Sequence, residues 1–250
     1  MARRTSTAHP TARPTGDAPP APEHHHRDVR GGTARAAVFG ISDGLVSNVS
    51  LILGVAGAHP SSSLVRLAGL AGLLGGAFSM AAGEYVSMRA QTELLERELE
   101  LERTEIARRP ENERRELVQL YRSRGLDREL AEHLATEMHR NPQLALETHA
   151  REELGIDPHE LGSPRGAALS SFAAFAGGAV LPLLPWFVAS GTGAVLASVV
   201  LAAVAAVLVG VALAGFTGRS VARSALRQLA FAAAPATVTY VVGTVVGVNV

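Results

Sequence analysis

Asp43 is the only charged residue in the apolar stretch 36–58. An ionisable side chain near the middle of a membrane costs about 3 kcal/mol or more, so such residues usually serve a function. Spacings of three and four place Gly40, Asp43, Gly44 and Ser47 on one face of a helix. We therefore expect this narrow polar face to contact other helices and Asp43 to take part in function.

The next apolar stretch, 64–86, contains Met80 and Glu84, and Met88 follows four residues later. This spacing places the three side chains in one row along a helix. Carboxylates bind hard divalent cations, and a thioether favours transition metals over Mg²⁺ or Ca²⁺. Asp43, Met80 and Glu84 are thus the predicted cation path. The plainer alternatives are that Met80 only packs and that Glu84 lies at the membrane interface.

A glutamate-rich segment follows the second apolar stretch and predicts a second metal-binding region. Its glutamates fall on two helix faces, with Glu98, Glu102 and Glu105 on the first and Glu113 and Glu116 on the second. A tight turn at 109–110 would make the two helices roughly antiparallel. Two glutamate pairs at spacing three, one pair on each helix, would then form one oxygen-rich pocket of four carboxylates. Such a pocket is repulsive unless a cation fills it.

His149 and Glu153, four residues apart on a later helix, would close this pocket with one imidazole and one carboxylate. The alternative interpretation is that the glutamates form solvated helix faces, because arginines nearby in the sequence could pair with many of them.

Five apolar stretches determine the predicted architecture, since each is long enough to cross a hydrocarbon core, which takes about 20 residues. Hydrophobic residues make up 47% of the chain and aromatic residues only 4%, so small apolar side chains suited to close packing in lipid dominate. We predict an all-α membrane protein with five transmembrane helices and a cytoplasmic helical metal-binding insert between helices 2 and 3. The predicted spans are 36–58, 64–86, 167–189, 193–216 and 226–250.

The predicted domain organisation has four parts: a disordered tail (1–30), transmembrane helices 1 and 2 (31–87), the insert (88–161) and transmembrane helices 3 to 5 (162–250). Arginines cluster before helix 1, in the insert and between helices 4 and 5, which marks the cytoplasmic side. The amino terminus and the insert are therefore predicted to be cytoplasmic and the carboxy terminus to lie outside.

The run His24, His25 and His26 in the tail could bind metal weakly, although a solvated tail is the more usual interpretation.

Within the insert, the sequence predicts helices at 88–108, 111–124, 127–140 and 143–154. The first continues helix 2 without a break and ends at Pro110. Asp127 is a predicted N-cap, and Gly125 and Gly155 end the helices that precede them.

Two further patterns lie in the later transmembrane helices. Pro182 and Pro185 predict a kink or break in helix 3. Helix 4 carries a small residue at every fourth position, which predicts close packing either within one subunit or between two. The residues of this repeat are Ala194, Ser198, Ala202, Ala206, Gly210 and Ala214.

Composition excludes several classes of function. The chain has no cysteine, so it has neither disulfides nor thiolate metal sites. Its formal net charge is zero, which argues against a nucleic-acid partner. The sequence has no nucleophile–base pair and no phosphate-binding loop, so neither an enzyme nor an organic cofactor is predicted.

Taken together, four segments resemble the vacuolar iron transporter family over nearly the whole chain outside the tail. They are 39–45 (FGISDGL), 79–85 (SMAAGEY), 149–155 (HAREELG) and 182–185 (PLLP), together with the glutamate-rich helices. The resemblance implies five transmembrane helices per subunit, a homodimer with the ion path between its subunits, and exchange of cytoplasmic Fe²⁺ for protons.

The resemblance also implies roles for individual residues. Asp43 and Met80 would line the ion path. Metal would be collected by the glutamates of the insert, namely Glu102, Glu105, Glu113, Glu116 and Glu153. His149 stands where plant members have a methionine, and imidazole is a competent substitute. Glu84 is similar to the bacterial branch, and no ferritin-like domain is expected.

The predicted function is export of cytoplasmic Fe²⁺, with Mn²⁺ as a further candidate substrate, in exchange for protons across a bacterial inner membrane. The predicted partners are these ions, the lipid bilayer and a second copy of the chain. Two alternatives stay open. One is a membrane-tethered metal buffer or sensor, and the other is a manganese, cobalt or nickel exporter on the same scaffold.

Overall fold

The computed structural model describes residues 32–159 and 161–247, and this part of the chain is helical with no strand. The predicted disordered tail and the run from His24 to His26 lie outside the described residues. The helices are α1 (Gly32–Gly57), α2 (Ser62–Arg108), α3 (Pro110–Ser123), α4 (Arg128–Met138), α5 (Pro142–Glu152), α6 (Pro164–Val180), α7 (Pro185–Val188), α8 (Gly191–Thr217) and α9 (Val221–Gly247).

Five of the described helical segments are long and apolar enough to cross a membrane: Ala37–Gly57, Ser62–Arg108, Pro164–Leu183, Gly191–Thr217 and Val221–Gly247. The prediction of five transmembrane helices is therefore confirmed. The fifth span begins earlier than expected, because the arginines at its start continue the helix rather than precede it.

Helix α1 lies at the centre of the membrane bundle and packs against α2, α6, α8 and α9. Polar side chains join it to its neighbours. Gln228 Nε2 donates to Ser42 Oγ at 2.9 Å, and Thr239 Oγ1 donates to the Ser50 carbonyl at 2.7 Å. Apolar packing gives helices in lipid little specificity, so such hydrogen bonds help to fix which helices meet.

The small-residue repeat of α8 is buried within the chain along its whole length, from Ala194 to Ala214. Ala202 and Ala206 pack against Leu45 and Val49 of α1 and Ala232 of α9. The choice that the sequence left open is thus settled in favour of packing within one subunit, and the repeat no longer supports a contact between two subunits.

The predicted break in the third span occurs between α6 and α7. Helix α6 ends at Val180, a 3₁₀ turn covers Leu181–Leu183, and α7 is a single short turn. Proline lacks the backbone N–H that an α-helix needs, so carbonyls near Pro182 require other donors. Ser198 Oγ donates to the Pro182 carbonyl at 2.7 Å and supplies one of them.

Helix α2 has 47 residues and runs without interruption from the membrane bundle into the insert. At a rise of 1.5 Å per residue it is about 70 Å long, more than twice the thickness of a hydrocarbon core. This continuity confirms the prediction that the second span extends into the insert.

Helices α3, α4 and α5 pack as a small unit around the end of α2. Leu117 and Tyr121 of α3 form a core with Ala131 and Ala135 of α4, and Leu146 of α5 packs against α2. The Asp127 side chain accepts a hydrogen bond from the Leu130 amide at 3.0 Å, so the predicted N-cap is confirmed. Gly125 and Gly155 have positive φ values of 99° and 66°, which suits their place after helix ends.

Candidate metal centre and membrane cavity

Three side chains from three helices converge in the insert. Glu102 of α2, Glu113 of α3 and His149 of α5 each direct one ligand atom to a common point, and these atoms all lie within 4.8 Å of one another. All three residues are buried, although each is polar or charged. We refer to Glu102, Glu113 and His149 as the insert cluster.

The local fold explains why these residues meet. Arg109 lies outside helical geometry, and Pro110 occupies the first turn of α3, where its missing N–H costs nothing. The chain therefore turns back and brings Glu113 towards α2. Ile106 packs with Ala145 and Leu146, which holds α5 against the same face of α2 and buries His149 beside Glu102.

His149 Nδ1 lies 3.0 Å from Glu102 Oε1 and 3.2 Å from Glu153 Oε1. Despite these short distances, neither His149 Nδ1 nor Glu102 Oε1 has a hydrogen bond of acceptable geometry. A buried polar atom without a partner costs about 1–3 kcal/mol. A divalent cation between carboxylate and imidazole would satisfy both atoms, so the donor set suits a transition metal as bound substrate.

The pKa values of residues in and beside the insert cluster are shifted as well. Burial, together with the nearby carboxylates of Glu116, Glu102 and Glu105, raises the pKa of Glu113 to about 6. Burial also raises the pKa of Glu153. For His149, burial lowers the pKa, but the adjacent Glu102 and Glu153 outweigh it and raise the pKa above its usual value. A bound cation would offset both the burial of the two carboxyl groups and their mutual repulsion.

His139, which the sequence analysis did not single out, lies directly behind His149. Its Nδ1 is 2.9 Å from the Ala135 carbonyl, and its Nε2 is 3.3 Å from His149 Nε2. A carbonyl only accepts hydrogen bonds, so His139 Nδ1 carries a proton, and burial lowers the pKa of His139 and keeps the ring neutral. His149 must then donate from Nε2, which directs its Nδ1 at the carboxylates.

The remaining predicted ligands lie at the edge of the cluster. Glu153 reaches His149, as described above, whereas Glu105 and Glu116 are exposed. Their charges still act on Glu113. The six predicted metal ligands thus divide into a buried centre of three, one residue in contact with it, and two exposed carboxylates nearby.

A separate cavity of about 340 Å³ lies in the membrane bundle between α1, α2 and α6. It contains two of the three residues predicted for the cation path, Asp43 and Met80. Its lining consists of Phe39, Asp43, Ser47, Asn48, Leu51, Gly72, Gly76, Ser79, Met80 and Phe175. Ser47 Oγ donates to Asp43 Oδ1 at 3.0 Å and orients the carboxylate.

The polar face of α1 divides into two parts, which corrects the expectation that all of it contacts other helices. Gly40 and Gly44 are buried against α6, where a methyl group on Gly44 would overlap the Phe175 carbonyl. Asp43 is half-buried and Ser47 is exposed. The glycines therefore bring α1 and α6 together, while the polar side chains face the cavity.

Met80 packs beside Ala77 and Phe175 and also lines the cavity. A packing role and a position in the cavity are therefore compatible for this residue. Glu84 is half-buried one turn further along α2 and is absent from the cavity lining. Asn48 lines the cavity and is buried, and the sequence analysis missed it. An uncharged amide in an apolar span carries a weaker signal than a carboxylate.

These features define a polytopic α-helical membrane protein with a carboxylate–imidazole cluster in a helical insert. Residues 34–244 match the VIT family. Vacuolar iron transporter 1 of Oryza sativa subsp. japonica is 32% identical over 222 residues, which cover 87% of this chain and 88% of that protein. Vacuolar iron transporter 1 of Arabidopsis thaliana is 33% identical over 208 residues, which cover 80% of this chain and 82% of that protein.

A vacuolar iron transporter of Acanthamoeba castellanii is 39% identical over 161 residues, which cover 64% of this chain and 58% of that protein. The chain belongs to the VIT family, and the resemblance predicted from its sequence is confirmed.

Proposed function

We propose that this protein exports Fe²⁺ from the cytoplasm across a membrane in exchange for protons. The observation that carries the proposal is the pairing of two cation-compatible regions in one chain, the insert cluster and the membrane cavity, linked by the single helix α2. The iron transporters named above, which resemble the chain over most of its length, support Fe²⁺ as the substrate.

In this proposal the insert collects the metal. Glu102, Glu113 and His149 bind Fe²⁺, and Glu153 with the exposed Glu105 and Glu116 attracts it from solution. The unpartnered atoms of Glu102 and His149 support this role, because a cation satisfies them without any rearrangement of the core. The ion then moves to Asp43 and Met80, with Glu84 near the inner mouth of the path.

Proton exchange is supported by the type of ligand. Protons and metal ions compete for the same carboxylate oxygens, so a proton arriving at Asp43 or Glu84 releases the metal on the far side. The deprotonated site then returns to the cytoplasmic side.

A homodimer is part of the proposal. Ser47 and Ser79 are exposed in the isolated chain although they line the cavity beside Asp43. A carboxylate and two hydroxyls facing lipid would be costly, so this side of the cavity must meet water or another subunit. A second copy of the chain would cover it and place the path between the subunits.

The proposed topology places the insert, the α8–α9 turn and the amino terminus in the cytoplasm, and the membrane is proposed to be a bacterial inner membrane. The arginines Arg219, Arg223 and Arg227 at the α8–α9 turn support this orientation. Mn²⁺, Co²⁺ and Ni²⁺ use the same ligand types, so they are tested as competing substrates.

The test is uptake of Fe²⁺ into proteoliposomes with an acidic interior, under anaerobic conditions. We expect uptake by the wild type to need the pH gradient and uptake by Asp43→Asn to fall to the level of empty liposomes. Glu129→Gln, an exposed position on α4, serves as the matched control and should transport normally.

Normal transport by Asp43→Asn would contradict the proposal. If the wild type shows no uptake although the protein still binds metal, the function is that of a membrane-tethered buffer or sensor.

A further inference from the structure

Asn48 is an uncharged polar residue buried inside a transmembrane helix, with only 1% of its surface exposed. It lies on α1, five residues after Asp43. Its Nδ2 donates to the Ala179 carbonyl of α6 at 2.6 Å. The bond reaches α6 just before its break at Pro182, where carbonyls lack some of their helical donors. The amide group is thereby held in one position.

The hydrogen bond also fixes which way the amide faces. A backbone carbonyl only accepts hydrogen bonds, so the atom facing Ala179 must be the nitrogen. Asn48 Oδ1 therefore faces the opposite way, and it is buried without any hydrogen-bond partner. An amide oxygen in this situation is destabilising unless something else satisfies it.

Asn48 is one of the residues that line the cavity containing Asp43 and Met80. Gly72 of α2 lies beside it, and a methyl group there would come within 2.8 Å of Asn48 Oδ1. The absence of a side chain at Gly72 thus leaves room for the amide oxygen where α1 and α2 meet. Amide oxygens are ordinary ligands of divalent cations, and the hydrogen bond from Nδ2 to Ala179 leaves this one free to accept.

We propose that Asn48 Oδ1 is a ligand of the metal ion in the membrane cavity, together with the Asp43 carboxylate and the Met80 thioether. This inference rests on the proposed function and deepens it, since it specifies the donor set of the transmembrane site. The site then offers one hard charged oxygen, one hard neutral oxygen and one soft sulfur. These three ligands together carry only one negative charge, so they hold a transition metal weakly enough to release it.

Two substitutions separate a ligand from a packing residue. Both Asn48→Leu and Asn48→Asp remove the Nδ2 donor to the Ala179 carbonyl, so the comparison between them reports on the oxygen. Asn48→Leu keeps the volume but removes the oxygen, whereas Asn48→Asp keeps an oxygen and adds charge. If Asn48 only packs, Leu is tolerated and Asp is harmful, because an unpaired buried charge is costly. If Asn48 is a ligand, the order is reversed.

The experiment uses the full-length protein in detergent with the insert cluster neutralised by Glu102→Gln and Glu113→Gln. Co²⁺ binding is followed by its visible absorption and titrated in Asn48, Asn48→Leu and Asn48→Asp versions. We expect Asn48→Leu to weaken Co²⁺ binding about tenfold or more, and Asn48→Asp to bind as tightly as Asn48 or more tightly. Ser198→Ala removes a different buried hydrogen bond at the same helix break and serves as the control, which should bind normally.

Equal Co²⁺ affinity in the Asn48 and Asn48→Leu proteins would overturn the inference, as would weaker binding by Ser198→Ala to the same degree. Absence of Co²⁺ binding in every version would also overturn it. Because binding is measured without transport, a wild type that fails to move Fe²⁺ would refute the proposed function, while the Co²⁺ titrations would still decide the role of Asn48.

Discussion

The insert cluster and the membrane cavity differ in how many charged side chains they contain. The insert cluster buries two carboxylates and an imidazole, with further carboxylates around it. The membrane cavity has one carboxylate, oriented by a serine hydroxyl, and otherwise neutral lining residues. The insert cluster therefore concentrates negatively charged groups, whereas the cavity contains a single one.

This difference follows from the two environments. Water around the insert tolerates many ionised groups, so charge density can be used for affinity there. Each charge inside a membrane is costly, so a transmembrane site must work with few charges and with neutral donors. The predictions below test this contrast.

Glu102→Gln combined with Glu113→Gln should lower the metal affinity of the insert about 100-fold or more, because both buried carboxylate ligands are lost. Titration of the full-length protein with Mn²⁺, which resists oxidation, measures this affinity. Uptake at saturating Fe²⁺ should persist, since the membrane cavity is unchanged. Background-level uptake at saturating metal would show that the two regions do not act separately.

Glu113→Gln by itself should unfold at a higher temperature than the wild type in the absence of metal. The raised pKa of Glu113 means that its ionised form is destabilising in the folded protein at neutral pH. Removing the repulsion should add about 2–4 °C for each kcal/mol gained. The exposed substitution Glu129→Gln should leave the unfolding temperature unchanged.

His139→Phe should weaken metal binding by the insert about tenfold, because His149 loses the acceptor that directs its Nδ1 to the site. The phenyl ring keeps the edge-to-face packing of the two imidazoles. His139→Gln, whose amide oxygen can accept from His149 Nε2, should recover most of the affinity. Equal affinities for the Phe and Gln variants would show that His139 only packs.

Metal binding by the insert should weaken several-fold as the pH falls from about 7 to about 5.5. Metal binds the deprotonated ligands, and Glu113 has a pKa of about 6, so protons compete in this range. Glu113→Gln should make the remaining affinity less dependent on pH. An identical pH profile in wild type and variant would assign the competition to another group.

Glu84→Gln should have the smallest effect on transport. Glu84 is absent from the cavity lining, so its loss should lower uptake only a few-fold, unlike Asp43→Asn. Met80→Leu, which keeps the packing against Phe175 but removes the sulfur, should fall between them. A Glu84→Gln variant as inactive as Asp43→Asn would extend the essential path beyond the cavity.

Much of this arrangement was readable from spacing. Apolar runs longer than 20 residues predicted the spans, and glutamates at spacings of three and four, with a turn at Pro110, placed Glu102 and Glu113 together. Such patterns are local, because helix periodicity fixes which residues share a face.

Contacts that depend on tertiary packing were not readable. His139 and His149 lie on different helices, and their approach depends on how α4 and α5 pack. The role proposed for Asn48 depends on its hydrogen bond to the Ala179 carbonyl, which is far away in the sequence. The α8 repeat was ambiguous for the same reason, since small residues show that something approaches closely but not which helix it is.

Helix α2 carries both Met80 and Glu102, and no proline interrupts it between them. They lie about 33 Å apart along the axis and about 40° apart around it, so both point to nearly the same side. A helix of this kind resists twisting. Any rotation of α2 that turns Glu102 within the loaded cluster must turn Met80 in the cavity by a similar angle. A rotation of α2 at Glu102 would therefore reach Met80 without a hinge or a mobile loop.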